Sequence, residues 1–178
     1  MARDVMKRSL AGVLAIAFGC AGPTLQQTLD EADRRLDWGE YGAAIEGYTE
    51  ALERDPSCVR AWNNRGLAKY RSGDHVGAVA DYGEALRSGT PLAETHYNRG
   101  VAYLGLRDPL RALADFSDAL RFQPDHYRAL AGRGLARARQ GDRPAAAADL
   151  ARSLELGPGD WNERAAVEAE LRKLQESK

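Results

Sequence analysis

The sequence predicts an all-α protein, an array of four helical hairpins closed by a C-terminal helix, and three observations predict it. Gly66, Gly100 and Gly134 are spaced by 34 residues, and a second pattern keeps the same interval: Ala44-x3-Tyr48-x2-Ala51, Ala78-x3-Tyr82-x2-Ala85 and Ala112-x3-Phe116-x2-Ala119. The composition leans to Ala, Leu, Arg and Glu with only three Phe, and such unbranched side chains lose least freedom in a helix. Glycine and proline fall between the periodic segments, where helices must end and turn.

The first twenty residues read as an address. Arg3, Lys7 and Arg8 form a basic stretch, followed by the apolar run Leu10 to Gly19. That run is too short for the roughly 20 residues a spanning helix needs, and it fits the core of a secretory signal. It ends in Ala17-Phe18-Gly19-Cys20, which resembles the lipobox of bacterial lipoproteins, where the cysteine is lipidated. Two alternatives stand beside lipidation at Cys20: cleavage after the A-x-A triplet Ala15-Ile16-Ala17, and an uncleaved N-terminal helix or a misassigned start.

Four copies follow in one frame, at 25–58, 59–92, 93–126 and 127–160. The fourth, Ala146-x3-Leu150-x2-Ser153, is degraded but in register, and Pro56, Pro124 and Pro158 close three copies while Pro91 sits one place late in the second. Each copy reads as helix, turn, helix. Gly66, Gly100 and Gly134 are expected to face the alanines of second helices and let the axes approach. Tyr48, Tyr82 and Phe116 are the large side chains that fill the space between hairpins. Gly39, Gly73 and Gly141 suit the left-handed position just past a helix end, with Asp74, Asp108 and Asp142 as caps of the next helix. The third turn has Arg107 in place of glycine, so its connection is expected to differ.

Copies two to four each carry Arg at the seventh place and Asp at the twenty-third: Arg65 and Asp81, Arg99 and Asp115, Arg133 and Asp149. In an antiparallel hairpin these places lie at one level, which predicts three ion pairs within repeats, against the alternative of solvated charges. If exposed, each contributes about 0.2–1 kcal/mol. Residues 161–178 read as a capping helix with Trp161, Val167, Leu171 and Leu174 on its apolar side.

The 34-residue frame, with its A-x3-aromatic, glycine and proline places, resembles the tetratricopeptide repeat. The resemblance covers residues 25–160 and implies a right-handed superhelical solenoid of four such hairpins plus the C-terminal capping helix. It also implies an inner wall built from first helices. The inward places then hold Arg60, Asn63, Asn64 and Arg71; Glu94, Tyr97 and Asn98; and Arg128 and Arg139. Asparagine is a poor helix former, so Asn63, Asn64 and Asn98 either hydrogen-bond the backbone of an extended peptide or belong to the repeat's local style. The arginines lean towards an acidic or carboxylate-bearing segment. Some family members clamp the C-terminal carboxylate of chaperone tails with two Lys, two Asn and an Arg. Here only Asn64 matches, since Leu29, Asp33, Glu94 and Asn98 occupy the other places, and such a clamp is not expected.

Charge and motifs narrow the function. Lys plus Arg is 25 and Asp plus Glu 26, a formal net charge of −1, without the basic excess of a nucleic-acid binder. Cys20 and Cys58, with His75, His96 and His126, form no metal-ligand spacing. No GxSxG, HExxH or phosphate-cradling glycine loop is present, and Cys58 has no nearby His to activate it. No enzyme, cofactor, metal or small-molecule substrate is therefore expected. The expectation is a protein–protein interaction scaffold that is lipid-anchored in a bacterial cell envelope and faces the periplasm, with a protein or peptide partner. The alternatives are a soluble periplasmic or cytosolic module and a self-associating structural protein. Only Ala21 to Thr24 separate Cys20 from the first helix, a reach of at most about 17 Å.

Overall fold

The computed structural model describes residues 22–87 and 93–176. The leader and Cys20 lie outside the described residues. Those described form helices and short connections, with no strand among them: α1 (Leu25–Asp37), α2 (Tyr41–Arg54), α3 (Val59–Arg71), α4 (His75–Arg87), α5 (Ala93–Gly105), α6 (Pro109–Phe122), α7 (Tyr127–Gln140), α8 (Arg143–Leu156) and α9 (Arg164–Glu176). Each second helix packs on its own first helix and on the first helix of the next hairpin, and the first helices touch one another in sequence. No helix among the described residues is long and apolar enough to cross a membrane.

Small residues set the spacing. Ala44, Ala51, Ala78, Ala85, Ala112, Ala119 and Ala146 are all fully buried, together with Tyr48, Phe116 and Leu150. The glycines face rings rather than alanine side chains. A Cβ at Gly66 would stand 2.9 Å from the Tyr82 ring, and one at Gly100 2.8 Å from Phe116 and 3.3 Å from the Ala112 carbonyl. In the fourth copy Leu150 takes the ring's place, 2.7 Å from a Cβ at Gly134. In the second and third hairpins the aromatic thus lies where its partner helix has no side chain, which explains why the two patterns share one period.

The turns inside hairpins are four versions of one design. Gly39, Gly73 and Gly141 have φ of 78°, 93° and 84°. Their N–H groups donate to Leu36, Tyr70 and Ala138 carbonyls, while the following residues donate to Arg35, Lys69 and Arg137. This pair of hydrogen bonds closes the helix end through a left-handed residue. The third turn was expected to differ, and it does not. Arg107 adopts φ 58°, its N–H donates to Leu104, and that of Asp108 donates to Tyr103. The repeat's geometry overrides the residue's preference at a cost of about 1–2 kcal/mol. Arg107→Gly should therefore raise stability by about 1 kcal/mol and the melting temperature by about 2–4 °C in a thermal unfolding scan. An unchanged or lower midpoint would refute the strain.

Helix starts follow the local sequence. Thr24 and Gln27 form a reciprocal capping box on α1, and the carboxylates of Asp74, Asp108 and Asp142 accept from Gly77, Arg111 and Ala145 N–H. The cap helix starts three residues later than the 161 frame, because Gly157-Pro158-Gly159 and a turn at Trp161 precede it. Trp161, Leu171 and Leu174 pack around the fully buried Val167 on Ala131 and Leu150. Arg164 closes the junction by donating to the Leu154 carbonyl at 3.0 Å.

The Arg–Asp pairs are built into the hairpins, and their acids are not exposed. Arg65 grips Asp81 through Nε and Nη2 at 2.8 and 2.9 Å, Arg99 grips Asp115 at 2.8 and 2.7 Å, and Arg133 grips Asp149 at 2.8 Å twice. The acid side chains are 4, 4 and 8% exposed. A second donor joins each: Lys69 on Asp81, His96 on Asp115, Arg137 on Asp149. Burial would push the Asp115 carboxyl up, but the hydrogen bonds of Arg99 and His96 prevail and hold it below its ordinary value.

Candidate functional site

The four first helices α1, α3, α5 and α7 line the inner wall. Between α3 and α5 lies a cleft of about 670 Å³ bounded by Arg60, Asn63, Asn64, Glu94 and Thr95, with Phe122 and Gln123 from the end of α6. Four of the residues singled out in the sequence meet there: Arg60, Asn63, Asn64 and Glu94. Tyr97, Asn98, Arg71, Arg128 and Arg139 lie outside its lining.

Most of the polar groups at this wall already have partners. The hub is Asp33 on α1. It accepts from the Tyr48 hydroxyl at 2.5 Å and from Asn64 Nδ2 at 2.9 Å, and it pairs with Arg60. Arg60 also reaches Asp30 at 3.0 Å. Burial raises the Asp33 carboxyl, but its three donors outweigh that and keep it below the ordinary value. Burial and the same carboxylate push the Tyr48 hydroxyl far up, so it stays a donor. Asn63 Nδ2 donates to Asn64 Oδ1 at 3.2 Å, and Thr95 donates to Asn63 Oδ1 at 2.9 Å. The Asn64–Asp33 and Thr95–Asn63 bonds run from one repeat to the next, a physical reason for Asn63 and Asn64 in mid-helix that needs no ligand.

A second network ties the next pair of repeats. Glu94 accepts from His126 at 2.9 Å and from Arg128 at 3.1 Å. The His126 hydrogen bond, with Arg128 beside it, holds the Glu94 carboxyl below its ordinary value despite burial. Arg128 also lies 5.3 Å over the Tyr97 ring, which packs on Phe116 and His126. Burial pushes the Tyr97 hydroxyl up to about 12.

The expectation that the groove arginines wait for an acidic ligand is corrected for two of them. Arg60 and Arg128 are neutralised inside the chain, by Asp30, Asp33 and Glu94. Arg71 and Arg139 are exposed, and neither makes an ion pair among the described residues. Asn98 is half-buried, and no hydrogen bond engages its amide among the described residues. Sequence reasoning missed Asp30, Tyr48 and His126 as members of the wall, and took Asp33 only as a departure from the clamp. Asp30 and Asp33 stand at the sixth and ninth places of copy one, both inward in the repeat frame. The signal was present; the partners, about 30 residues away, were not paired with it.

One further cluster arises. His96, Asp115 and Asp118 each bring a ligand atom within 4.8 Å of the others, but the Arg99 fork occupies both Asp115 oxygens, and a guanidinium there opposes a cation.

Residues 29–93 and 97–160 match the family model described as tetratricopeptide repeat. The chain belongs to the tetratricopeptide repeat family. No curated protein matches its sequence. Solved tetratricopeptide repeat structures resemble it in shape. MamA protein is 19% identical, with 85% of this chain and 87% of that one covered at a TM-score of 0.71. YrrB, described as a TPR protein with an unusual peptide-binding site, is 22% identical over 85% and 80% at 0.67. The first TPR of Spaghetti, bound to an HSP90 peptide, is 24% identical over 66% and 92% at 0.60. At these identities the likeness carries the fold. A tetratricopeptide repeat array is a protein–protein interaction scaffold.

Proposed function

We propose that this chain is a non-enzymatic scaffold that holds an extended segment of a partner protein along its first helices, and that it is tethered by a lipid on Cys20 in a bacterial cell envelope, facing the periplasm. The observation that carries the binding reading is the inner wall itself: a cleft of about 670 Å³ between α3 and α5, followed by the amide of Asn98, which no hydrogen bond engages among the described residues. An amide can both donate to and accept from any peptide backbone, so it holds an extended chain without regard to its sequence. Two similar folds support the reading by description, YrrB with its peptide-binding site and the Spaghetti repeat with its bound peptide. The basic stretch, short apolar run and Cys20 support the tether.

Two measurements test the two halves separately. A photo-crosslinking residue in place of Asn98 should trap a partner in cells, whereas one at the exposed Glu53 on α2 should not; equal adducts at both sites would refute binding at the wall. Cys20→Ser should move the protein out of the membrane fraction and remove the mass of the acyl chains. A variant that stays in the membrane with unaltered mass would refute the tether and leave the binding reading intact.

A further inference from the structure

The thirteenth places of the copies lie at the C-terminal ends of the first helices, along one side of the inner wall. They hold Asp37, Arg71, Gly105 and Arg139, all exposed. The opposite side, at the second places, holds Arg60, Glu94 and Arg128, and there every charge has a partner inside the chain. The two sides of the groove are therefore electrically unlike: one is closed by its own ion pairs, and the other ends in Asp37 and in two exposed guanidinium groups that form no ion pair among the described residues.

We propose that Arg71 and Arg139 form the reading edge of this groove, and that the occupant is an extended peptide segment carrying two carboxylate side chains five or six residues apart. The proposal rests on the peptide-binding reading above and adds its chemistry. The spacing follows from the array. Neighbouring packed helices stand about 8–10 Å apart, so α3 and α7, with α5 between them, are separated by about 16–20 Å. An extended chain advances about 3.3 Å per residue, which sets the two carboxylates five or six residues apart. Gly105 stands midway without a charge, its Cβ direction filled by the His75 ring at 2.8 Å, so the intervening residues meet no ionic partner there and reach the Asn98 amide on the same helix. Asp37, one repeat before Arg71, marks where acidic character must stop. Arg60 and Arg128 take no part, because a ligand carboxylate at either would have to displace an internal one.

The test uses the full chain and three fluorescein-labelled ten-residue peptides of Gly, Ser and Ala that differ at two places six apart, carrying Glu, Gln or Lys, read by fluorescence anisotropy at low salt. The Glu peptide should bind at least about tenfold tighter than the Gln peptide, and the gap should shrink with added salt. Arg71→Glu with Arg139→Glu should abolish that preference and favour the Lys peptide, while Arg121→Glu on α6 should leave it unchanged. Equal binding of the Glu and Gln peptides, lost in Asn98→Leu, overturns the reading edge and leaves the groove standing. Binding of none of the three overturns both. Loss of the Glu preference in Arg121→Glu overturns the edge as well, since net charge would then explain it.

Discussion

Asp115→Ala is expected to destabilise the array by about 3 kcal/mol, measured as the loss of unfolding free energy in urea. An exposed pair would be worth a few tenths to 1 kcal/mol, and burial decides between the two figures. The Asp115 side chain is 4% exposed and that of Arg99 23%. Removing the acid leaves the guanidinium with neither its fork partner nor full access to water, and His96 loses its acceptor as well. A measured loss under about 1 kcal/mol would show that water solvates the pair freely. Replacing both partners together, as Arg99→Met with Asp115→Leu, should recover much of the loss, because a packed apolar pair carries no desolvation penalty.

The same pair sets a pH dependence. The folded-state carboxyl of Asp115 lies below its ordinary value of 3.8, so the unfolded chain takes up a proton first. The stabilisation is complete above that ordinary value and disappears as the pH falls below it towards the lowered folded-state value. Acid titration of stability should therefore be shallower in Asp115→Asn than in the parent chain, and a matching slope would place the acid response in other carboxylates.

The all-α hairpin array was legible because each of its rules is local or periodic. An A-x3-aromatic pattern and a glycine in the facing helix repeat at one interval, and the ring and the missing side chain turn out to occupy the same space. The Arg–Asp pairs could be seen for the same reason, since both partners sit at fixed places within one copy. The inner wall was read less well. Asp33, Tyr48, Arg60 and Asn64 come from three helices of two copies, and no repeat consensus says that a departure in copy one will neutralise an arginine in copy two. Charges were therefore assigned to a ligand that the chain supplies for itself. Arg107 failed in the opposite direction: local preference argued for a different turn, and the packing of the hairpin imposed the common one.

Phe116→Ala is expected to cost about 3–5 kcal/mol, and its effect should be confined to the junction of the third and fourth copies. The ring is fully buried and bridges two helices: Gly100 on its own hairpin and Gly132 on the next each come so near that an added Cβ would stand 2.8 Å from it. Deleting it opens a void among α5, α6 and α7 that backbone held at this spacing cannot close. In a quasi-linear array stability is a sum of repeat and neighbour terms, so the junction and not the whole chain should weaken. Amides of α7 to α9 should exchange faster while those of α1 to α4 keep their protection. Uniform acceleration along all helices would mean that the array unfolds as one cooperative block. Gly100→Ala probes the same contact from the other side. Alanine gains about 1 kcal/mol of helix preference over glycine, yet its methyl would meet the ring at 2.8 Å and the Ala112 carbonyl at 3.3 Å. Overpacking costs about 1–3 kcal/mol; with the ring pinned between two helices the upper part of that range applies, and the variant should be the less stable protein.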